Sequence, residues 1–273
     1  MGGGALIAAL FLPAYCAPVI LAILAALSLM EFYAMLDASH IPHFKVIGTI
    51  GGTSLIVVTW LAERGIVHQL GPNYETSILF VIFASCFLRQ LFHVGKERAW
   101  ETTAGTLLGI VYVAFLMNFF VKLLVEFNTS VDDAQGRYLI LFLVVVVKLT
   151  DVGAYFTGSL IGRHKLIPRV SPAKTWEGCA GGVAAGVGAG VLLGHLYSGH
   201  AGVHVFNLQK TILIAALTSV AGILGDLIES LFKRAAGVKD SGSSIRGMGG
   251  ILDVLDSLLF AAPVLYIAAR VVS

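Results

Sequence analysis

Long apolar runs separated by short polar stretches dominate the chain. A helix that crosses a membrane needs about 20 mostly apolar residues, and eight segments are close to this length or longer. They lie at 3–36, 44–62, 76–92, 103–127, 138–157, 178–198, 211–231 and 251–270. The first is too long for one crossing and short for two, and Pro13 and Pro18 can interrupt it. The pattern predicts eight or nine membrane helices.

The composition narrows the class of protein further. The 273 residues are 57% hydrophobic and only 12% charged, with a mean hydropathy of +0.88, whereas soluble domains carry about 25% charged residues. This excludes a soluble globular protein, a disordered chain and a nucleic-acid binder. The three cysteines lie in apolar runs and indicate neither a disulfide framework nor a zinc site. We therefore predict an all-α polytopic membrane protein, a bundle of about 8–9 transmembrane helices in one membrane domain, 1–273.

Basic residues alternate between rich and poor loops. The loops at 37–43, 63–75, 128–137 and 199–210 carry at most one Lys or Arg each. Three other loops are rich, and they contain Arg89, Lys96 and Arg98, then Arg163, Lys165, Arg169 and Lys174, then Lys233, Arg234, Lys239 and Arg246. The positive-inside rule places these three loops in the cytoplasm.

Four aspartates lie at the predicted cytoplasmic ends of three apolar segments. Asp151 and Asp226 lie near the ends of 138–157 and 211–231, and Asp253 and Asp256 open the last segment. An aspartate inside a bilayer costs about 2.5–3.5 kcal/mol, so such residues are functional candidates. Carboxylates that converge at one depth suit Mg²⁺, which binds one or two of them together with substrate phosphates.

Local ion pairing is the alternative interpretation of these acidic residues. Lys148 lies three residues before Asp151, and Lys233 lies four residues after Glu229, so each pair shares a helical face. Asp253 and Asp256 have no cation nearby on their own helix. Pairing within one helix therefore does not account for these two.

Two of the basic loops have features that suit phosphate binding. The stretch "GRHKLIPRVSPAKTWEG", 162–178, holds four cations before a helix that we expect to begin with Ser171 as N-cap and Pro172 at its first position. Free amides at a helix start favour an anion, although the positive-inside bias alone also explains the cations. The stretch "SLFKRAAGVKDSGSSIRGMGG", 230–250, combines cations with a glycine- and serine-rich turn that can approach phosphates closely.

The run "SLFKRAAGVKDSGSSIRGMGGILDVLD" resembles the signature of the phosphatidate cytidylyltransferases, also called CDP-diacylglycerol synthases. That signature reads S-x-x-K-R, four residues, K-D, a glycine/serine turn, H-G-G and then D-R-x-D. The matching residues are Ser230, Lys233, Arg234, Lys239, Asp240, Gly249, Gly250, Asp253 and Asp256. The similarity extends over about 150–260, so we predict a catalytic half at 138–273, whereas 1–137 matches only as hydrophobic helices.

The resemblance implies an activity and a set of partners. A cytidylyl group would pass from CTP to phosphatidic acid in the membrane, giving CDP-diacylglycerol and pyrophosphate for phospholipid biosynthesis. It also implies an integral protein of the bacterial inner membrane with its active site facing the cytoplasm, and no nucleic-acid partner. The oligomeric state stays open, a homodimer included.

The resemblance also assigns residues. Mg²⁺, as one or two ions, would bind Asp226, Asp253 and Asp256, with Asp151 in support and Lys233 as a further catalytic residue. The substrates would contact residues of the two basic loops and their surroundings, namely Lys165, Ser171, Lys174, Ser230, Arg234, Lys239, Asp240, Gly249 and Gly250.

The chain departs from the signature at three positions. Met248 replaces His, Val254 replaces Arg, and Arg246 replaces Pro or a small residue. The missing Arg and His remove a multi-donor cation and a proton or phosphate partner. A reduced activity or a shifted substrate follows as an alternative expectation.

Parts of this pattern also occur in proteins of other functions. A CTP-dependent polyprenol or phytol kinase shares the nucleotide chemistry, whereas CDP-alcohol phosphotransferases and aromatic prenyltransferases need more aspartate motifs than one D-x-x-D. An ion or proton transporter predicts acidic residues spread through the membrane depth. The histidines His195, His200 and His204 have ligand-like spacing, but we interpret them as solvated or interfacial.

Overall fold

The computed structural model describes residues 16–67, 73–92, 98–127, 134–200, 203–242, 244 and 249–272. These residues form eight long helices and one two-stranded hairpin. In chain order they are α1 (Cys16–Ala38), α2 (Lys45–Glu63), α3 (Tyr74–Phe92), α4 (Ala99–Val125), α5 (Ala134–Ile161), β1 (Lys165–Ile167), β2 (Ser171–Thr175), α6 (Trp176–Tyr197), α7 (Leu208–Ala235) and α8 (Ile251–Val272). The start of the first predicted segment, with Pro13, lies outside the described residues, as do Arg246 and Met248.

The eight helices confirm the predicted fold class. All of them are long and apolar enough to cross a membrane, and large apolar side chains such as Ile50, Phe80 and Leu160 point outward with 65%, 67% and 81% exposure. Such a surface suits lipid tails rather than water. Helices α5 and α7, of 28 residues each, extend beyond the apolar runs that predicted them.

The described chain divides into two compact units, each assembled from two separate stretches. The first unit comprises the described residues up to Val125 together with Lys233–Val254, and the second comprises Glu126–Phe232 together with the described residues from Leu255 onward. The boundary therefore falls within α7 and α8. The single membrane domain stays a prediction.

In the first unit, α2 packs against α1, α3 and α4. The Tyr33 hydroxyl donates a hydrogen bond to the Thr106 carbonyl at 2.9 Å, and a Cβ built at Gly48 would lie only 1.9 Å from that hydroxyl. Helix α4 changes to π-helical geometry over Ile110–Phe115, directly after this contact. Such local π turns are frequent at functional sites.

In the second unit, α5 and α6 pack closely through glycines. Glycines recur every fourth residue along α6, at 178, 182, 186, 190 and 194, so they share one helical face. A Cβ at Gly182 would lie 2.7 Å from the Thr150 carbonyl oxygen of α5, and one at Gly178 would lie 2.9 Å from that of Ala154. This approach of the two backbones is what sets the position of Asp151.

The hairpin between α5 and α6 corrects one prediction. Ser171 and Pro172 were expected to begin the helix, but they lie in β2, where Ser171 pairs with Ile167 and Thr175 pairs with Lys165. Thr175 is the actual N-cap, since its hydroxyl oxygen accepts a hydrogen bond from the Gly178 amide at 3.1 Å. The backbone pairing with β1 holds residues 171–175 extended, so the helix begins at Trp176.

Candidate active site

Three aspartates of the second unit interact with one another. Asp151 of α5 lies within electrostatic range of Asp226 of α7 and of Asp256 of α8, and the latter two also interact. Asp256 is only 6% exposed. Helices α7 and α8 approach closely beside it, because a Cβ at Gly225 would lie 2.6 Å from the Asp256 carbonyl oxygen. Like charges at this proximity repel, so they need cations nearby.

Lysines supply part of that charge. Lys174, at the end of the hairpin, places its Nζ 2.7 Å from Asp226 Oδ2, and the same Nζ lies 3.4 Å from the Ile223 carbonyl oxygen. Lys148 Nζ lies 3.6 Å from Asp151 Oδ2, so the local pair that the sequence offered as the alternative interpretation of Asp151 is present. The ion pair from Lys174 to Asp226 joins two segments that are 52 positions apart and was not predicted.

A cavity of about 550 Å³ opens beside these groups. Lys165, Ser171 and Lys174 of the hairpin line it together with Asp151 and Asp226. Its size is typical of small-molecule sites. The second unit thus brings five predicted site residues into one cavity that combines two cations with two carboxylates.

Two further side chains of this cavity were missed by sequence reasoning. Tyr155 of α5 is 73% exposed, and Cys179 lies in the first turn of α6. Tyr155 follows Asp151 by one helical turn, and this spacing was the available signal. No comparable signal pointed to Cys179, which resembled any small apolar residue of its run.

The last predicted residue of the second unit is Ser230. Its hydroxyl lies 3.3 Å from Asp226 Oδ1, one helical turn away on α7. The buried Glu229 side chain interacts with Asp256. Asp226 and Asp256 are therefore both held by neighbouring side chains.

The first unit contains the remaining aspartate of the D-x-x-D motif. Lys233 Nζ lies 2.8 Å from Asp253 Oδ1, and the pair is well buried, with side-chain exposures of 15% and 10%. Asp253 Oδ2 accepts hydrogen bonds from the Gly250 amide at 2.6 Å and from the Ser241 amide and hydroxyl, both at 2.9 Å. Asp253 thus neutralises Lys233 and also reaches back to the amide that precedes α8, as the acidic residue of a capping box does.

The other predicted residues of the first unit surround this pair. Gly249 has a φ of +86°, a left-handed conformation that favours glycine, and a Cβ there would lie 2.5 Å from Asp253 Oδ2. Arg234, Lys239 and Asp240 are exposed. Glycine at position 249 is therefore explained by its backbone conformation and by the close contact with Asp253.

Glu31 of α1 also contacts this part of the first unit, and sequence reasoning missed it. The Glu31 carboxylate is buried at 7% exposure and accepts hydrogen bonds from the loop and from the start of α8. An acidic residue inside the apolar run "LSLMEFYAML" was the signal, because such residues are expensive in a membrane.

The carboxylates of the second unit have the donor chemistry of ligands for a divalent cation. Within the described residues, no three His, Cys, Asp or Glu side chains already form a cluster that holds a metal. The donor chemistry nevertheless fits, since Asp226 and Asp256 provide hard oxygen ligands and interact with Asp151. Lys174 occupies one Asp226 oxygen in this arrangement.

The helices and these clusters define a polytopic membrane protein with buried carboxylates and lysines suited to phosphate chemistry. The sequence pattern of the cytidylyltransferase family matches residues 1–272, and the chain belongs to this family. This finding confirms the resemblance stated above.

Curated relatives agree with this assignment. The chain is 35% identical to the phosphatidate cytidylyltransferase of Staphylococcus aureus (strain COL) over 243 residues, 88% of this chain and 86% of that protein. It is 33% identical over 242 residues to the protein of the same name from Staphylococcus epidermidis, with the same shares. A third, from Haemophilus influenzae, is 42% identical over 132 residues, 48% of this chain and 46% of that protein.

Proposed function

We propose that this protein transfers the cytidylyl group of CTP to phosphatidic acid, forming CDP-diacylglycerol and pyrophosphate. The Lys174–Asp226 pair carries the proposal, because it lies in a cavity with Lys165 and Asp151 among membrane-spanning helices. The phosphates of a lipid headgroup and of a nucleotide are both negatively charged, so binding either of them requires cations such as these lysines. For the lipid, the cations must lie within or beside the membrane. The names of the relatives support the same reaction.

The proposed reaction requires little general acid–base catalysis by the protein. A phosphate oxygen of phosphatidic acid attacks the α-phosphorus of CTP, the bond between the α-phosphorus and the bridging oxygen breaks, and pyrophosphate leaves with that oxygen. The attacking oxygen is already anionic, so no strong base is required. Catalysis then depends on positioning two polyanions and on neutralising their charge.

Several basic residues of this chain are proposed to bind and neutralise the phosphates. We assign phosphate binding to Lys165 and Lys174 of the hairpin, with Ser171 beside them in the same cavity. Lys233, Arg234 and Lys239 are proposed as further phosphate contacts. Lys233 is already ordered by Asp253, so its charge is held in a defined place before substrate arrives.

Magnesium belongs to this proposal as well. Asp226, Asp253 and Asp256 are the proposed ligands for one or two ions, with Asp151 in support. Of these, Asp226 and Asp256 interact within the second unit, so they are the stronger pair. Bound Mg²⁺ would supply Lewis-acid neutralisation of the phosphate charge.

We also propose that the site faces the cytoplasm from a bacterial inner membrane. The alternation of basic loops supports this orientation, and the named relatives are bacterial proteins. Phosphatidic acid would then enter from the surrounding lipid with its headgroup at the depth of the aspartates. A homodimer is compatible with the proposal but is not required by it.

The position of the label in CTP tests the reaction. The purified protein would be incubated with Mg²⁺ and with CTP labelled at either the α- or the γ-phosphate, in one reaction with phosphatidic acid and in a parallel reaction with a polyprenol. Transfer of the α label alone into lipid is expected. A lipid labelled only from γ-labelled CTP would identify a CTP-dependent lipid kinase instead, and no labelled lipid from either substrate would contradict both enzymatic functions.

A further inference from the structure

Glu31 holds the start of the last helix from a distant part of the sequence. It lies well inside α1, yet its Oε1 accepts hydrogen bonds from the Ser244 hydroxyl at 2.5 Å and the Ile251 amide at 3.0 Å. Its Oε2 accepts one from the Leu252 amide at 2.8 Å. Ile251 and Leu252 are the first two residues of α8, where backbone amides have no partner within the helix.

Two carboxylates thereby share the amides at this helix start. Asp253 accepts the Gly250 amide from within the helix, and Glu31 accepts the next two from α1. A negative charge at a helix N-terminus is favourable. Three successive amides are therefore satisfied, and the direction in which α8 begins depends on Glu31.

The glycines of the loop fit the same carboxylate. A Cβ built at Gly242 would have Glu31 Oε1, Cδ and Cγ as its three nearest atoms, at 2.7, 2.8 and 2.9 Å. One built at Gly250 would lie 2.4 Å from Glu31 Oε2. Glycine at these positions is thus explained by the approach of Glu31, whereas the sequence suggested an approach of phosphate.

We infer that Glu31 is a positioning residue for the cytidylyl transfer, acting through the start of α8 on Asp253 and its partner Lys233. This inference rests on the proposed function, because it assigns Asp253 and Lys233 to the reaction. Glu31 itself contacts the loop and the helix start only. Its loss should therefore lower kcat more than it changes the KM for CTP.

The first test compares two isosteric substitutions in the same unit. Glu31→Gln exchanges one acceptor oxygen for a donor that faces backbone amides, and loss of a charge-assisted hydrogen bond predicts a fall in kcat of about tenfold to a hundredfold. Glu75→Gln is the matched control, since Glu75 is a half-buried glutamate whose carboxylate accepts hydrogen bonds from Asn118 and Lys122, at 2.8 Å each. Equal losses of kcat in both variants, or a Glu31→Gln enzyme within twofold of wild type, would overturn the inference.

A double-mutant cycle tests the contact itself. Gly242→Ala should lower kcat about tenfold in the wild type, but by less than about twofold in a Glu31→Ala background, where the atoms it meets are gone. Independent, multiplicative effects would contradict the contact. If Glu31→Ala does not accumulate, Ser244→Ala replaces it and should lower kcat about threefold at unchanged Tm, and an unchanged kcat would count against the inference.

Amide hydrogen exchange separates this inference from the proposed reaction. In the absence of substrates, the peptide that contains Ile251 and Leu252 should exchange about tenfold faster in Glu31→Gln than in wild type or Glu75→Gln. If the wild-type protein made no cytidine lipid, the proposed reaction would be refuted, but the exchange measurement would still show whether Glu31 stabilises the start of α8. Unchanged exchange beside an active wild type would refute the role of Glu31 alone.

Discussion

The ion pair between Lys174 of the hairpin and Asp226 of α7 leads to the most direct prediction about catalysis. Lys174→Met keeps the length of the side chain but removes the ammonium group that lies 2.7 Å from Asp226. Asp226 then remains beside Asp151 and Asp256 without this cation, and the cavity loses one of its two lysines.

The expected magnitude follows from the geometry of that pair. The side chains of Lys174 and Asp226 are 22% and 32% exposed, so the interaction is only partly screened by solvent. A hydrogen bond to a charged group contributes about 1.5–3 kcal/mol, which corresponds to about a tenfold to hundredfold fall in rate if the ammonium acts on the transition state. Lys174→Arg retains the charge and should lose less than Lys174→Met.

The assay is kcat/KM for CTP, measured with α-labelled CTP and phosphatidic acid on variants of equal Tm. Lys210→Met is the matched control, because Lys210 lies on α7, the helix of Asp226, and its Nζ donates to the Val272 carbonyl at 2.6 Å instead of to a carboxylate. The reasoning would be refuted if Lys174→Met stayed within twofold of wild type. A loss that Lys210→Met matched would refute it equally.

Four further substitutions concern the same regions of the protein. Thr175→Ala removes the N-cap of α6 and should cost about 1 kcal/mol of unfolding free energy, and an unchanged Tm would argue against this cap. Asp253→Asn should lower both stability, by about 1–3 kcal/mol, and activity, because Asp253 accepts backbone amides as well as Lys233. Asp226→Asn should lower activity with little change in Tm, so similar Tm losses in the two variants would contradict this distinction. Val254→Arg restores the family residue beside Asp253 and should raise kcat/KM for CTP about tenfold or more, and an unchanged or lower rate would show that the phosphate site is organised differently.

Local sequence alone determined the membrane architecture of this protein. The apolar runs predicted all eight described helices, because burial in lipid depends on the length and composition of each segment and not on its partners. The acidic residues Asp151, Asp226 and Asp256 stood out for the same reason, since a carboxylate in an apolar segment is costly wherever the chain folds. The family signature at 230–256 added the chemistry.

The tertiary structure decided which of these groups meet. Ser171 and Pro172 have the composition of a helix start, but pairing with β1 keeps them extended and moves the cap to Thr175. The contact from Glu31 to Leu252 joins positions 221 residues apart, and no periodicity within a helix indicates such a partner. Hydropathy indicates whether a segment lies in lipid or in water. An ion pair or a helix cap between distant segments forms only when packing brings the two groups within hydrogen-bond distance, and hydropathy does not indicate which groups these are.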